Sequence, residues 1–237
     1  MTIRRRLFTF TFTLAAAAVI ATPLYAQARP ADLDTVLHHM DEASTRFQSA
    51  EADFRWDLYE RVVKQTTTQN GSIYFLRKGT PTSSSTEMGA KIAPPSARFL
   101  EYKGGKLRIF DPVANHLQLL KAGDRQAMYE SFLTLGFGGS GKDLAKAWTI
   151  TYQGTEPLTD GNSKIDTAKL DLVSKDSGVR NMFTHITIWI DPTRGISLKQ
   201  QFFTPSEDQK IAFYSHIRYN QKVDTGTFAL KTNGKTN

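Results

Sequence analysis

The chain has 237 residues, with 30 Lys and Arg against 23 Asp and Glu, a formal net charge of +7, and no cysteine. Without cysteine there are no disulfide staples, no thiolate metal sites, no thiol nucleophile and no lipid attachment to an N-terminal cysteine. The basic excess is too small and too scattered for the Lys/Arg stripe of a nucleic-acid binder, and suits only a transient contact with an anionic membrane surface.

Arg4, Arg5 and Arg6 precede an apolar run from Leu7 to Ala21, and Ala26-Gln27-Ala28 supplies a small-x-small sequence. This is the layout of a secretory signal peptide, and the run falls short of the roughly 20 apolar residues of a membrane span. Cleavage after Ala28 is expected, leaving residues 29–237 as a single domain, soluble in the periplasm.

Leu33, Val36, Leu37, Met40, Ala43 and Phe47 recur every three or four residues, which predicts an amphipathic helix over 32–50. From Ala52 the period changes to two, with Phe54, Trp56 and Leu58 on one strand face. Asn70-Gly71 reads as a hairpin turn and Ser72 to Arg77 as the returning strand. Residues 79–96 are rich in Gly, Pro, Ser and Thr and read as a loop insertion. Short strands over 98–103, 106–110 and 116–120 form a meander. Arg125 to Phe137 has a helical pattern, and Ser140 with Asp143 caps a brief helix that ends near Trp148. Strands over 148–153, 168–174, 182–190, 196–204 and 210–219 follow, separated by turn residues. The class is α+β, mainly β, with ten to eleven strands.

Alternation puts Ile186, Ile188 and Ile190 on one face, Ile196, Leu198 and Phe202 on another, and Ile211, Phe213, Ile217 and Tyr219 on a third. Two arrangements fit this pattern. Either the first helix covers a curved sheet and the remaining aromatics are scattered on the surface, or helices lie over a concave apolar face without filling it. In the second case the space suits acyl chains, at roughly 0.8 kcal/mol per buried methylene. Periodicity alone does not separate them.

Gly136-Phe137-Gly138-Gly139-Ser140-Gly141-Lys142 matches the phosphate-loop pattern G-x-x-x-x-G-K. Asp143, however, stands where a magnesium-binding hydroxyl belongs, and a helical segment rather than a strand precedes it. The stretch reads instead as a flexible glycine hinge between lid helices. His38, His39, His116, His185 and His216 lack metal-ligand spacing, and no Ser lies in G-x-S-x-G, so neither a metal, a cofactor nor an enzymatic activity is expected.

Ile188-Trp189-Ile190-Asp191-Pro192, Gly195, Gln200-Gln201-Phe202-Phe203, the run Phe213 to Asn220, Val223-Asp224 and Thr227-Phe228-Ala229-Leu230 together resemble the outer-membrane lipoprotein carrier family, the LolA type. Gly71 to Arg77 resembles that family's G-x-(L/F)-x-(V/F)-x-R strand. The resemblance covers nearly the whole mature chain. It implies an incomplete antiparallel β-barrel with a helical lid, a monomer whose inner cavity binds acyl chains of lipoproteins or other lipids. It also implies transfer from an inner-membrane ABC-type exporter to an outer-membrane acceptor.

The implied cavity residues are Phe54, Trp56, Leu58, Ile73, Phe75, Phe99, Leu107, Ile109, Phe132, Leu133, Ile188, Phe202 and Phe213. The family's strand arginine, which ties the lid closed, corresponds to Arg77. Strand parity agrees, since Ile73, Phe75 and Arg77 share a face; the alternative is an arginine snorkelling to solvent at a strand end. The chain departs from the family at Lys78, which replaces a proline, and in residues 79–96. A related role therefore stays open, as a binding protein for another envelope lipid or as an envelope-stress regulator.

Overall fold

The computed structural model describes residues 32–80, 83–121, 123 and 132–230. The leader assigned to residues 1–28 lies outside them, as does most of the helical stretch expected over 125–137. Helix α1 (Leu33–Arg46) begins where Asp32 Oδ1 accepts a hydrogen bond from the Thr35 N–H at 2.7 Å, and it buries Val36, Met40 and Ala43. Two strands follow, β1 (Ser49–Glu60) and β2 (Gln65–Thr80). The meander continues through β3 (Ser83–Ile92), β4 (Arg98–Lys103), β5 (Lys106–Asp111) and β6 (His116–Lys121). Helix α2 (Gly141–Ala147) leads into β7 (Trp148–Asp160) and β8 (Ser163–Ser174). Helix α3 (Ser177–Met182), β9 (His185–Asp191), β10 (Ile196–Phe203), β11 (Gln209–Tyr219) and a 3₁₀ turn (Thr225–Phe228) complete the chain.

All eleven strands form one antiparallel sheet in the order β6-β5-β4-β3-β2-β1-β11-β10-β9-β8-β7. It is two meanders, β1 to β6 and β7 to β11, seamed where β1 pairs with β11, and it stays open between β6 and β7. The molecule is thus an incomplete antiparallel barrel with helices against it. Asn220 fastens the seam. Its side-chain oxygen accepts from the N–H groups of Gln48 and Ser49 (2.7 and 3.2 Å), and its Nδ2 donates to the Arg46 carbonyl at 2.8 Å. A single side chain thereby satisfies backbone groups at the exit of α1, where a helix end would otherwise leave them unpaired. Among the described residues no helix is long and apolar enough to cross a membrane.

The resemblance residues near the C-terminus have structural work of their own. Asp191 Oδ1 accepts from the Thr193 N–H at 2.8 Å, while Asp191 and Asp160 hold Arg194 at 2.6 and 2.8 Å. Trp189 lies on the outer face, where its indole N–H donates to Glu156 Oε2 at 2.7 Å. Glu156 and Asp160 belong to the far part of β7, so these bonds bring the β7–β8 hairpin back over the outside of the sheet.

Four expectations change. Asn70-Gly71 is not a turn but the middle of β2, and the reversal lies at residues 61–64, where Lys64 has φ 52°. Gly71 is needed for space: a Cβ there would sit 2.1 Å from the Lys91 carbonyl oxygen and 2.6 Å from the Phe54 ring. The glycine marks a close approach within a strand. The insertion at 79–96 is mostly strand, since β3 pairs with β2 from Gly71↔Ile92 to Thr80↔Ser83. Pairing on both sides, with β2 and β4, holds this serine-rich segment as a strand, and only 93–97 link it to β4. Asp176-Ser177-Gly178, expected as a simple turn, opens α3 with Asp176 Oδ1 accepting from the Val179 N–H at 3.0 Å.

The fourth change concerns the faces of β11. Tyr214 lies opposite Phe54 and Ala212 opposite Trp56, yet Tyr219 lies opposite Ala50. The register shifts between Glu51 and Asp53, across from His216 with φ 52°. Such a bulge reverses the alternation. Lys210, Ala212 and Tyr214 therefore face inward, and Ile211 and Phe213 outward.

Gly71→Ala is expected to cost about 1 to 3 kcal/mol, the usual range for overpacking. Urea unfolding measures it; an unchanged midpoint would mean that the β3 backbone at Lys91 and the Phe54 ring both give way freely.

Candidate functional site

The inner face divides into two apolar clusters. Under α1 and α2, the residues Leu170, Leu172, Ile186, Ile188 and Ile190 are fully buried against Val36, Met40 and Leu135. This half is filled. Over β1 to β4 and β11 the cover is thinner, and a cavity of about 220 Å³ remains. Its floor comprises Trp56, Ile73, Phe75, Met88, Ala90, Leu100, Ala212 and Tyr214. Its cover comprises Phe132, Leu133, Leu135 and Phe137, with Phe183 and Phe202 at one side.

Six of the expected cavity residues are brought together there: Trp56, Ile73, Phe75, Phe132, Leu133 and Phe202. The others are placed elsewhere. Phe54 is buried beneath the cavity wall, its ring stacked on Trp56 at 4.1 Å. Leu58 shares the inner face opposite Lys210 but stands outside the lining. Leu107 and Ile109 lie opposite Tyr102 and Leu100, farther toward the β6 edge. Ile188 is filled-core, covered by the helices. Phe99 faces outward, where the Lys91 ammonium lies 5.8 Å from its ring. Phe213 also faces outward because of the β11 bulge, under the Arg55 guanidinium at 4.4 Å. Sequence reading missed Met88, Ala90, Leu135, Phe137, Phe183, Gln200, Ala212 and Tyr214, and it missed Lys210. Leu100 was one residue from the expected Phe99, the error that a one-step change of parity makes.

The cover is pinned by polar groups rather than left loose. Arg77 donates from Nη1 to the Ser44 carbonyl and from Nη2 to the Gly138 carbonyl at 2.6 Å, with its guanidinium 5.4 Å from the Phe47 ring. One planar fork thus joins the last turn of α1, the glycine segment and the rim of β2. A second chain runs inside: Tyr214 Oη donates to Gln200 Oε1 at 3.1 Å, and Gln200 Nε2 donates to the Leu135 carbonyl at 2.5 Å. The Ser197 N–H donates to the Gly136 carbonyl at 2.7 Å. Phe137 then stacks on Phe75 at 4.0 Å.

The glycine segment is a fitted strap, contrary to the expected flexible hinge. Gly136 and Gly138 have φ of 75° and 78°, and a Cβ on Gly138 would meet the Phe47 ring at 2.3 Å. Nor is it a phosphate loop. The Lys142 N–H already donates to Asp41 Oδ1 and the Asp143 N–H to Ser140 Oγ, each at 3.0 Å. Among the described residues no group of three or more His, Asp or Glu is placed to hold a metal ion.

Lys210 is the charged residue among those lining the cavity. Its Nζ lies 3.8 Å from the centre of the Trp56 ring. Burial pushes the ammonium down to about 8, from an ordinary 10.5. Burial likewise raises the Tyr214 hydroxyl. The Trp56 N–H lies near enough to that hydroxyl to oppose the rise, but it makes no hydrogen bond of good geometry.

No family model matches the sequence, and no curated protein matches it significantly. Solved structures do match. The MucA/MucB complex of Pseudomonas aeruginosa aligns at 12% identity over 84% of this chain and 61% of that one, with a TM-score of 0.50. This chain thus spans less than two thirds of that one's length. An uncharacterised conserved protein of Thermus thermophilus aligns at 10% identity over 86% of this chain and 96% of that one, with a TM-score of 0.50. A LolA superfamily protein of Nitrosomonas europaea aligns at 14% identity over 84% and 98%, with a TM-score of 0.39. At these identities the likeness to MucB and to the Thermus thermophilus protein is one of fold alone. Within this fold the open sheet, the helical cover and the apolar space between them are the features that bear on function.

Two outcomes are expected at the site. Arg77→Leu removes both carbonyl bonds, which at roughly 1 to 3 kcal/mol for bonds to a charged group should loosen the cover before the sheet. Hydrogen exchange should quicken at residues 44–47 and 136–139 and stay slow in β9. Equal protection in the variant would return Arg77 to an ordinary surface arginine. Lys210→Met should be more stable than the parent at pH 7, because the parent carries a buried ammonium there. The unfolded chain holds that proton more tightly, so the parent gains stability as pH rises from about 8 to about 10.5, and the gap should narrow across that window. Urea denaturation at both ends of the window reads it; a gap independent of pH would place the ammonium in water.

Proposed function

We propose that the protein is a periplasmic carrier that takes acyl chains of lipoproteins into the cavity between sheet and cover. In this reading it receives them from an inner-membrane ABC-type exporter and passes them to an outer-membrane acceptor. The observation that carries the proposal is the apolar space itself, walled by Trp56, Phe75, Phe132, Leu133 and Phe202 and closed by backbone bonds from Arg77.

At about 220 Å³ the cavity lies below the roughly 300 Å³ at which small-molecule pockets begin. At ~30 Å³ for a group the size of water it takes on the order of seven methylenes. That yields ~5 to 6 kcal/mol, a dissociation constant near 0.1 mM. A carrier must hold its cargo more firmly. The cover therefore moves outward on loading, and Arg77 and Gln200 hold the state that competes with cargo. Conformational opening links the strap geometry to release.

A second reading, favoured by the fold likeness to MucB, is an envelope-stress regulator in which the same cavity senses lipid and the protein docks on a membrane regulator. One experiment separates the readings. Protein recovered from its native envelope is examined by mass spectrometry for bound acylated material, and its ability to release acylated lipoproteins from spheroplasts is measured. Bound material with release supports the carrier; bound material without release supports the regulator.

Ala212→Leu adds three carbons to the cavity floor and should weaken binding of a fluorescent acyl probe tenfold or more, at ~0.8 kcal/mol per displaced methylene. Undiminished binding would put the acyl site elsewhere.

A further inference from the structure

Lys210 is poorly explained by a cavity for neutral acyl chains. It occupies the end of the inner face nearest the β10–β11 turn, paired across the sheet with Phe202 on one side and Leu58 on the other. A lysine at a strand start normally extends its ammonium into water. This one turns over the Trp56 ring at 3.8 Å and lines the apolar space. Cation–π attraction to the ring offsets only part of the cost of a largely desolvated ammonium.

The nearest carboxylates in the chain are engaged away from it. Asp208 accepts from the Arg61 N–H at 2.8 Å and from Ser206 Oγ at 2.7 Å, and Glu207 pairs with Arg61 at 3.3 Å. Among the described residues no ion pair with a carboxylate offsets the burial of Lys210. The described residues leave open the position where an incoming molecule would place an anionic head: Lys210 marks one end of the cavity, while Phe75 and Met88 mark the other.

The geometry points to a cavity that selects acyl chains bearing an anionic head, with the carboxylate or phosphate oxygen on Lys210 Nζ and the tail running toward Phe75 and Met88. This rests on the reading that the cavity takes acyl chains, and within it favours an envelope lipid with a charged head over the ester- and amide-linked chains of a lipoprotein. An acyl chain held through a neutral ester or amide leaves the ammonium unpaired. An anion converts the least favourable group in the lining into a charge-assisted hydrogen bond.

The test is competition against a neutral fluorescent acyl probe on the full mature chain, with palmitate, hexadecanol and lysophosphatidate each below its micellar concentration. Palmitate or lysophosphatidate should compete at least tenfold better than hexadecanol. The better of the two anions identifies a free carboxylate or a lipid phosphate as the source of the head. Lys210→Met should abolish the preference for the anion over hexadecanol, whereas Lys210→Arg should keep it. Equal competition by anion and alcohol in the unmodified protein, a comparison that needs no variant, overturns the inference while leaving the acyl cavity standing. A preference that survives Lys210→Met overturns it as well. If no acyl compound binds, the cavity reading falls and this inference with it.

Discussion

Over one half of a continuous apolar sheet face the cover lies without filling the space beneath it, and the directed bonds of the Arg77 guanidinium join that cover to the rim. The guanidinium reaches the exit of α1 and the glycine strap together. Apolar contacts alone would let the cover settle anywhere on so uniform a surface, because hydrophobic attraction has no direction. Two directed bonds to backbone carbonyls set one position. The strap accepts them only because Gly138 has room for no side chain beside Phe47. Arg77 thus joins cover, rim and first helix, with the Gln200–Leu135 and Ser197–Gly136 bonds holding the cover from inside.

The two halves of the inner face then take different roles. Beneath α1 and α2 the isoleucines and leucines of β8 and β9 meet helix side chains and close into an ordinary core. Beneath the strap, small residues alternate with rings: Ala90 and Ala212 lie low beside Trp56, Phe75 and Tyr214. The space left above the alanines is what keeps this half from closing as the other does. The buried Tyr214–Gln200–Leu135 chain crosses the boundary between the halves. A satisfied polar network of this kind specifies one arrangement of an otherwise interchangeable apolar surface.

Much of the architecture was legible in the residues. The first helix, the meander, the capped helix after Ser140 and the five C-terminal strands all follow from period and turn chemistry, and Arg77 stood on the right face by simple alternation. What failed did so locally. Asn70-Gly71 has the composition of a turn, yet the glycine answers to the Phe54 ring on the neighbouring strand, and nothing adjacent in sequence reveals that ring's position. Phe213 was assigned inward because alternation was carried through His216, where a bulge reverses it. Ile188 was on the correct face but under the wrong neighbour, since which part of the face a helix covers is a tertiary matter.

By itself, then, the sequence determined most of the strands, the apolar periodicity and the absence of any cysteine chemistry, because these are set by each residue's own side chain and its near neighbours. Only the tertiary structure decided that β1 and β11 meet at the centre of the sheet, that α1 fills one half of the inner face and the strap roofs the other, and that Lys210 points into the space between. Those outcomes come from contacts between residues far apart in the chain, as in the bond from Asn220 to the exit of α1, where steric fit rather than local preference selects the arrangement.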